Sequence, residues 1–271
     1  AQRTGRWSVV VAPEALLAGG VSVALVARDG GGNESSQTLS LTPVATFSRV
    51  WHVLQRTSFG PSPDAYLAAS PGGMGVDAWL SAQLVPDEVA DDGWVSRAES
   101  FGSSVNIATG ALRQAAYSDR ALREVMTWFW DNHFNTLFNS HHNSLFEQNE
   151  NNAFRTLAVG RFRDLLAASA KSPAMLYTLD GRHNRMGRPN ENYARELMEL
   201  HTMGVDGGYT ERDVAEVARA MTGWTVVDGQ FAFDAAGHDV GAKNVLGVVI
   251  PAGGGQADGE RVLDIVASHP S

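Results

Sequence analysis

The sequence has no cysteine, no long apolar run and no run of basic residues, and each absence closes a class of function. Without cysteine there are no disulfides and no thiolate chemistry. The redox compartment cannot be read from that absence, although exported bacterial proteins often carry no cysteine. The longest apolar stretches, such as residues 21–27, fall far short of the ~20 residues that span a bilayer. Lys and Arg number 21 against 30 Asp and Glu, a formal charge of −9 with the acids spread along the chain. Neither nucleic acid nor an anionic membrane surface is the expected partner. Also missing are a Gly-x-Ser-x-Gly elbow, a His-Glu-x-x-His pair and a dinucleotide fingerprint, so the standard hydrolase and dehydrogenase templates fail. No signal peptide is visible. The chain begins at Ala1 without an initiator Met and reads as a fragment whose targeting segment was lost upstream.

What is present is enough for a core: 44% hydrophobic residues in a chain of 271. Composition changes near Pro43. Before it, β-branched runs at 7–11, 21–27 and 38–42 are separated by Gly19-Gly20 and by residues 29–33, Asp-Gly-Gly-Gly-Asn, which is strand and turn chemistry. The pattern Gly5, Trp7-Ser8, Leu17, Gly20, Ala27, Asp29, Gly32-Asn33, Ser35 resembles the closing strands of bacterial immunoglobulin-like repeats. A full sandwich needs about seven strands, so only the end of one is expected here.

After Pro43 the period turns helical, with helices expected over 47–58, 64–69, 77–84, 112–138 (Asp119 capping a second segment), 143–155 and 162–170, the last bounded by Pro173. Asn190 caps a helix ended by Gly204; Thr210 and Asp213 open another over 211–222, stopped at Gly223. Past Trp224, runs at 231–233 and 245–250 read as a hairpin or as irregular loops. The expected fold is therefore mainly α: a multi-helix domain over 44–271 behind a short N-terminal all-β, immunoglobulin-like remnant over 1–43.

Reactive side chains concentrate at 190–224. Projected at roughly 100° per residue, Asn192, Arg195, Glu196 and Glu199 share one arc, opposite Tyr193, Ala194, Leu197, Met198, Leu200 and His201. The plain reading is a solvated face with an Arg195–Glu199 pair. The functional reading makes Glu196 and Glu199 a carboxylate pair oriented by Arg195, able to share a metal or to split acid and base roles. His133 falls in the centre of an apolar stripe with Leu122, Val125, Met126, Phe129 and Trp130, so it needs a partner from another helix, and Glu196 or Glu199 is the natural one. His201 requires partners likewise. His141-His142 reads as a polar loop. Arg182 and Arg185, with His183 and Arg188, form a basic loop that meets an anion near Asn190 or simply neutralises the helix that follows.

The candidate catalytic set is His133, Arg195, Glu196 and Glu199; the candidate binding set is Arg182, Arg185, Asn190, Asn192 and His201; a divalent metal, if there is one, falls to His133, Glu196 and Glu199. Three readings stay open: an enzyme, hydrolytic or metal-dependent; a surface-assembly or binding component whose polar cluster fixes helix packing; and a pure scaffold.

From about Ala45 the chain resembles the bacterial domain-of-unknown-function family 1800. The residues that carry this are Arg56-Thr57-Ser58-Phe59-Gly60-Pro61, Trp128-Phe129-Trp130-Asp131-Asn132-His133-Phe134, residues 157–164, Ser172-Pro173-Ala174-Met175-Leu176, residues 189–224, and His238-Asp239 and Lys243 before Leu246-Gly247. The resemblance implies a mostly helical, exported bacterial protein, extracellular, periplasmic or at the cell surface, often encoded beside a sulfatase-like partner. It implies no reaction and no substrate.

Overall fold

The computed structural model describes residues 21–28, 34–41, 49–92, 107–136 and 144–270. The expected strand at 7–11 and the pair His141-His142 lie outside them. Contacts divide the chain into two compact units, one running to Arg56 and including Pro61–Val76, the other comprising Thr57–Gly60 and everything from Asp77.

In the first unit β1 (Val21–Arg28) pairs antiparallel with β2 (Glu34–Leu41), from Val21 opposite Leu41 to Arg28 opposite Glu34. Helix α1 (Arg49–Thr57) buries Val50 and Leu54, four residues apart on one face. Helix α2 (Pro63–Ala69) begins where Ser62 Oγ accepts from Ala65 N at 3.1 Å and Pro63 occupies the first turn, where it forfeits no helical hydrogen bond.

The second unit holds α3 (Val76–Gln83), α4 (Ile107–Tyr117), α5 (Ala121–Phe134), α6 (Ser144–Leu157), α7 (Phe162–Ala170), α8 (Pro173–Thr178), α9 (Glu191–Glu199), α10 (Glu211–Ala220) and α11 (Ala257–Ala267). Between α10 and α11 lie two hairpins, β3 (Trp224–Val227) with β4 (Gln230–Phe233) and β5 (Lys243–Val245) with β6 (Val248–Ile250). The core runs through Phe134, Phe154, Leu165, Met175, Leu197, Val217, Trp224 and Leu263, which tie α5 to α11. Gly259 permits the last contact: a Cβ there would stand 2.3 Å from the Trp224 indole.

The mainly α expectation holds, but the immunoglobulin-like part of the fold does not. Each sheet among the described residues has two strands, four strands lie between Trp224 and Ile250, and the described strands form no sandwich or closed sheet. The physical reason is that, among the described residues, β1 and β2 pair only with each other, so strand chemistry yields a two-stranded ladder and not a layered core. The helical stretch expected at 112–138 is two helices. Asp119 does not cap the second; Arg120 holds that position without a side-chain bond, and buried Gln83 reaches from α3 to accept from Leu122 N at 3.1 Å while donating to Asp119 O at 2.9 Å. A distant side chain thus does the work of a local cap.

Candidate functional site

Helix α9 starts where expected. Asn190 accepts from Asn192 N at 3.0 Å, donates to the carbonyls of Asp180 at 3.0 Å and Leu179 at 3.3 Å, and gives its own N–H to Asn184 at 2.9 Å. Asn192 also donates to Leu179 O, at 3.4 Å. Both asparagines therefore stitch the helix start to the preceding loop. The helix ends at Glu199, well short of Gly204, because Leu200 N and His201 N both turn back to Glu196 O. Leu200 is consequently exposed, against the projection, while His201 is buried.

The expected Arg195–Glu199 pair is absent. Arg195 instead clamps Glu211 of α10 through both guanidinium nitrogens, at 2.8 and 2.6 Å, and lies 3.7 Å from Glu191 one turn earlier. The fork geometry of guanidinium matches a facing carboxylate, and Glu211 sits opposite in the first turn of α10. This holds the Arg195 guanidinium firmly charged and keeps the Glu211 carboxyl below its ordinary value. Glu199 accepts a long 3.4 Å bond from Tyr209 Oη. Glu196 is half-buried, and its carboxylate makes no hydrogen bond or ion pair among the described residues.

His133 bonds just past the end of α9, through the backbone. Its Nε2 lies 2.9 Å from His201 O, and since a carbonyl only accepts, Nε2 carries the proton. Glu196 and Glu199 are not its partners, because they lie on the polar side of α9 while the His133 ring sits among Phe129, Trp130 and Phe134. His201 has an unpartnered, sealed Nδ1; burial first, then the neighbouring His133, lowers it to about 4. Among the described residues no group of three or more His, Asp or Glu side chains gathers as a metal-binding set. In the basic loop, Arg182 stacks over Tyr177 at 4.1 Å and Arg185 pairs Asp234 at 2.5 Å, so both cations are engaged within the chain.

Sequence reasoning missed the densest polar contacts, which lie elsewhere. On α6, Glu147 and Glu150 stand one turn apart, and Thr136 Oγ1 lies 2.7 Å from an oxygen of each. A hydroxyl has one hydrogen to offer, and here it stands between two carboxyls. Burial above all, aided by the Glu147 charge and opposed by the Thr136 hydrogen bond, pushes Glu150 up to about 8. The outer oxygens of both carboxyls are sealed and unpartnered. Under the hairpins a further network joins Thr222, His238, Lys243 and Asp258, all buried. His238 and Lys243 were visible as family marks; Asp258 carried no local signal.

A concavity of about 640 Å³ opens between α4, α5 and α6. Its apolar walls are Phe59, Ala111, Leu112, Ala115, Ala116 and Trp128, with Phe59 and Trp128 edge to face at 6.1 Å. Its floor is polar. Glu124 is held by Arg123 Nε at 3.1 Å and Arg155 Nε at 3.0 Å, while Asp131 accepts from Asn151 at 3.2 Å and keeps exposed carboxylate surface.

Residues 52–271 match the family described as a protein of unknown function, DUF1800. No curated protein and no solved structure matches the chain. No helix among the described residues is long and apolar enough to cross a membrane. The family match spans most of the chain and covers α9, the cleft and the buried networks alike, and the chain therefore belongs to the DUF1800 family.

Proposed function

We propose that this DUF1800 domain is a binding component that takes a polyhydroxylated ligand, a segment of a sugar polymer, in the cleft between α4, α5 and α6. The observation that carries this is the pairing of an exposed aromatic platform, Trp128 beside Phe59, with planar polar groups at its foot, Asp131 and Asn151. A sugar ring has an apolar C–H face that lies on an aromatic ring and hydroxyls that donate to a carboxylate and accept from an amide. Glu124, already satisfied by two arginines, fixes the floor and leaves Asp131 for the ligand. On this reading the Asn190–Arg195–His133 contacts are architecture, joining α9 to its neighbours. Extracellular, periplasmic or cell-surface placement in a bacterium, and a sulfatase-like partner, belong to the same proposal and rest on the family resemblance.

Titration of Trp128 fluorescence with neutral and uronic-acid oligosaccharides tests it. Saturable quenching, lost in Trp128→Ala and weakened in Asn151→Ala at unchanged melting temperature, is the expected result. Binding that survives Leu112→Arg, which places a long charged side chain in the wall, places the ligand elsewhere and defeats the proposal.

A second reading, catalysis by His133, Arg195, Glu196 and Glu199 with or without a divalent metal, is favoured by one observation: the Glu196 carboxylate is uncommitted. Loss of function in Glu196→Gln at full stability supports it, whereas unchanged function removes it.

A further inference from the structure

Lys243, Asp258 and His238 meet in a sealed pocket beneath the hairpins, with side-chain exposures of 0%, 2% and 1%. Lys243 Nζ is 2.5 Å from Asp258 Oδ2 and also bonds Asp239 O. His238 Nε2 lies 3.2 Å from the same Asp258 Oδ2, and its Nδ1 lies 2.8 Å from Thr222 O. The Thr222 carbonyl only accepts, so Nδ1 carries a proton and Nε2 is free to take one.

Counting protons decides how this cluster is best satisfied. As an ammonium, Lys243 has three N–H groups for two acceptors, and a neutral His238 would face the Asp258 carboxylate lone pair to lone pair. With a neutral amine and a carboxylic acid, the two N–H groups match the two acceptors and the acid proton lies toward Nε2. Transfer of one proton from Nζ to Oδ2 across the 2.5 Å contact gives that uncharged arrangement, in a pocket shut off from solvent. An amine and a carboxylic acid, uncharged, in contact and shielded from water, are the two halves of an amide.

We propose that Lys243 and Asp258 become joined by an isopeptide bond that the folded chain forms itself, with His238 as the proton-transfer group. The Nζ lone pair attacks Asp258 Cγ, forming Nζ–Cγ. Nε2 of His238, having taken the acid proton, returns it to the departing oxygen. That oxygen leaves as water with a second proton that came from Nζ, breaking its bond to Cγ. Lysine amine plus aspartic acid gives amide plus water, with His238 regenerated and no oxidant or co-reactant consumed. The surroundings keep the groups in place: the His238 ring packs on Phe233 at 5.3 Å, and Gly254 leaves room for Asp258, since a Cβ there would stand 1.9 Å from Oδ1. The bond fastens β5 to the first turn of α11.

Intact mass spectrometry of the full chain, kept folded, is the test. The expected mass is lower than the sequence mass by one water, with protease digestion yielding a branched peptide that joins the segments around Lys243 and Asp258. Asp258 precedes Gly259, and an Asp-Gly step can lose the same water by closing on its own backbone amide. Lys243→Met separates the two: it restores the full mass if the link is real and leaves the loss in place if the ring is a succinimide. His238→Gln slows the appearance of the lighter species without removing it. Wild-type chain at full sequence mass, or a water loss that persists in Lys243→Met, overturns the proposal. The wild-type measurement stands even if a variant fails to fold.

Discussion

Helices α6 and α9 each carry two glutamates one turn apart, Glu147 with Glu150 and Glu196 with Glu199, and the fold treats the two pairs in opposite ways. On α9 the carboxylates stay on the outer arc, and the strong contact is an exposed clamp from Arg195 to the next helix. On α6 the same spacing is turned inward: Glu150 is buried, shares the Thr136 hydroxyl with Glu147 and holds a proton at neutral pH. Identical local spacing gives a solvated face in one place and an inward pair around a single hydroxyl in the other. The difference lies in what packs against the helix, so carboxylate spacing carries no functional meaning until burial is known.

The largest effect should come from Glu150→Gln. The Glu150 pKa is raised from 4.5 to about 8, so the folded state binds more protons than the unfolded state between those values, and stability falls as pH rises through that window. The substitution should flatten that slope and stabilise the protein at pH 8 by on the order of 3 kcal/mol, read as urea midpoints against pH. A slope unchanged by the substitution would mean that α6 behaves like α9. Next is Thr136→Val, which removes the hydroxyl between the two carboxyls and should cost about 2 kcal/mol, a chemical-denaturation measurement that sharpens the contrast if greater at pH 8 than at pH 5.

His201 supplies an opposite slope. Its pKa is lowered from 6.5 to about 4, so below 6.5 the unfolded chain takes a proton that the folded chain refuses, and stability drops as pH falls toward 4. His201→Gln should flatten this acid limb by about 1–2 kcal/mol, leaving the slope above pH 6.5 to Glu150. The smallest effects belong to α9. Glu196→Gln and Glu199→Gln should each change stability by no more than about 0.5 kcal/mol, and loss of the Arg195 clamp should matter less as salt is raised. A large, salt-insensitive loss in any of these would place the α9 carboxylates in the same class as the α6 pair.

Much of the second unit was legible in sequence because its signals are local. Helix α7 begins at Phe162 and ends at Ala170 as the periodicity predicts, and Thr210 with Asp213 forms a full capping box at α10. The runs after Trp224, read as a hairpin or as irregular loops, form two hairpins. The immunoglobulin-like expectation failed because strand chemistry in a short segment cannot say how many strands will gather. His133 was expected to take a glutamate partner from another helix, but its partner is the backbone carbonyl of His201, in the turn just past α9. A side-chain projection has no means of showing a carbonyl freed at a helix end.

By itself the sequence determined where most helices start and stop, which face of α9 is apolar, and membership of the DUF1800 family, all consequences of short-range periodicity, capping and motif spacing. Tertiary structure alone decided that Glu150 is inside while Glu196 is not, that Gln83 stands in for a cap on α5, and that Asp258 lies against Lys243 and His238. It also decided that a cleft opens at Trp128. Those outcomes depend on contacts between residues 14 to 69 positions apart, and desolvation, which sets the charge and chemistry of each group, exists only after the chain has packed.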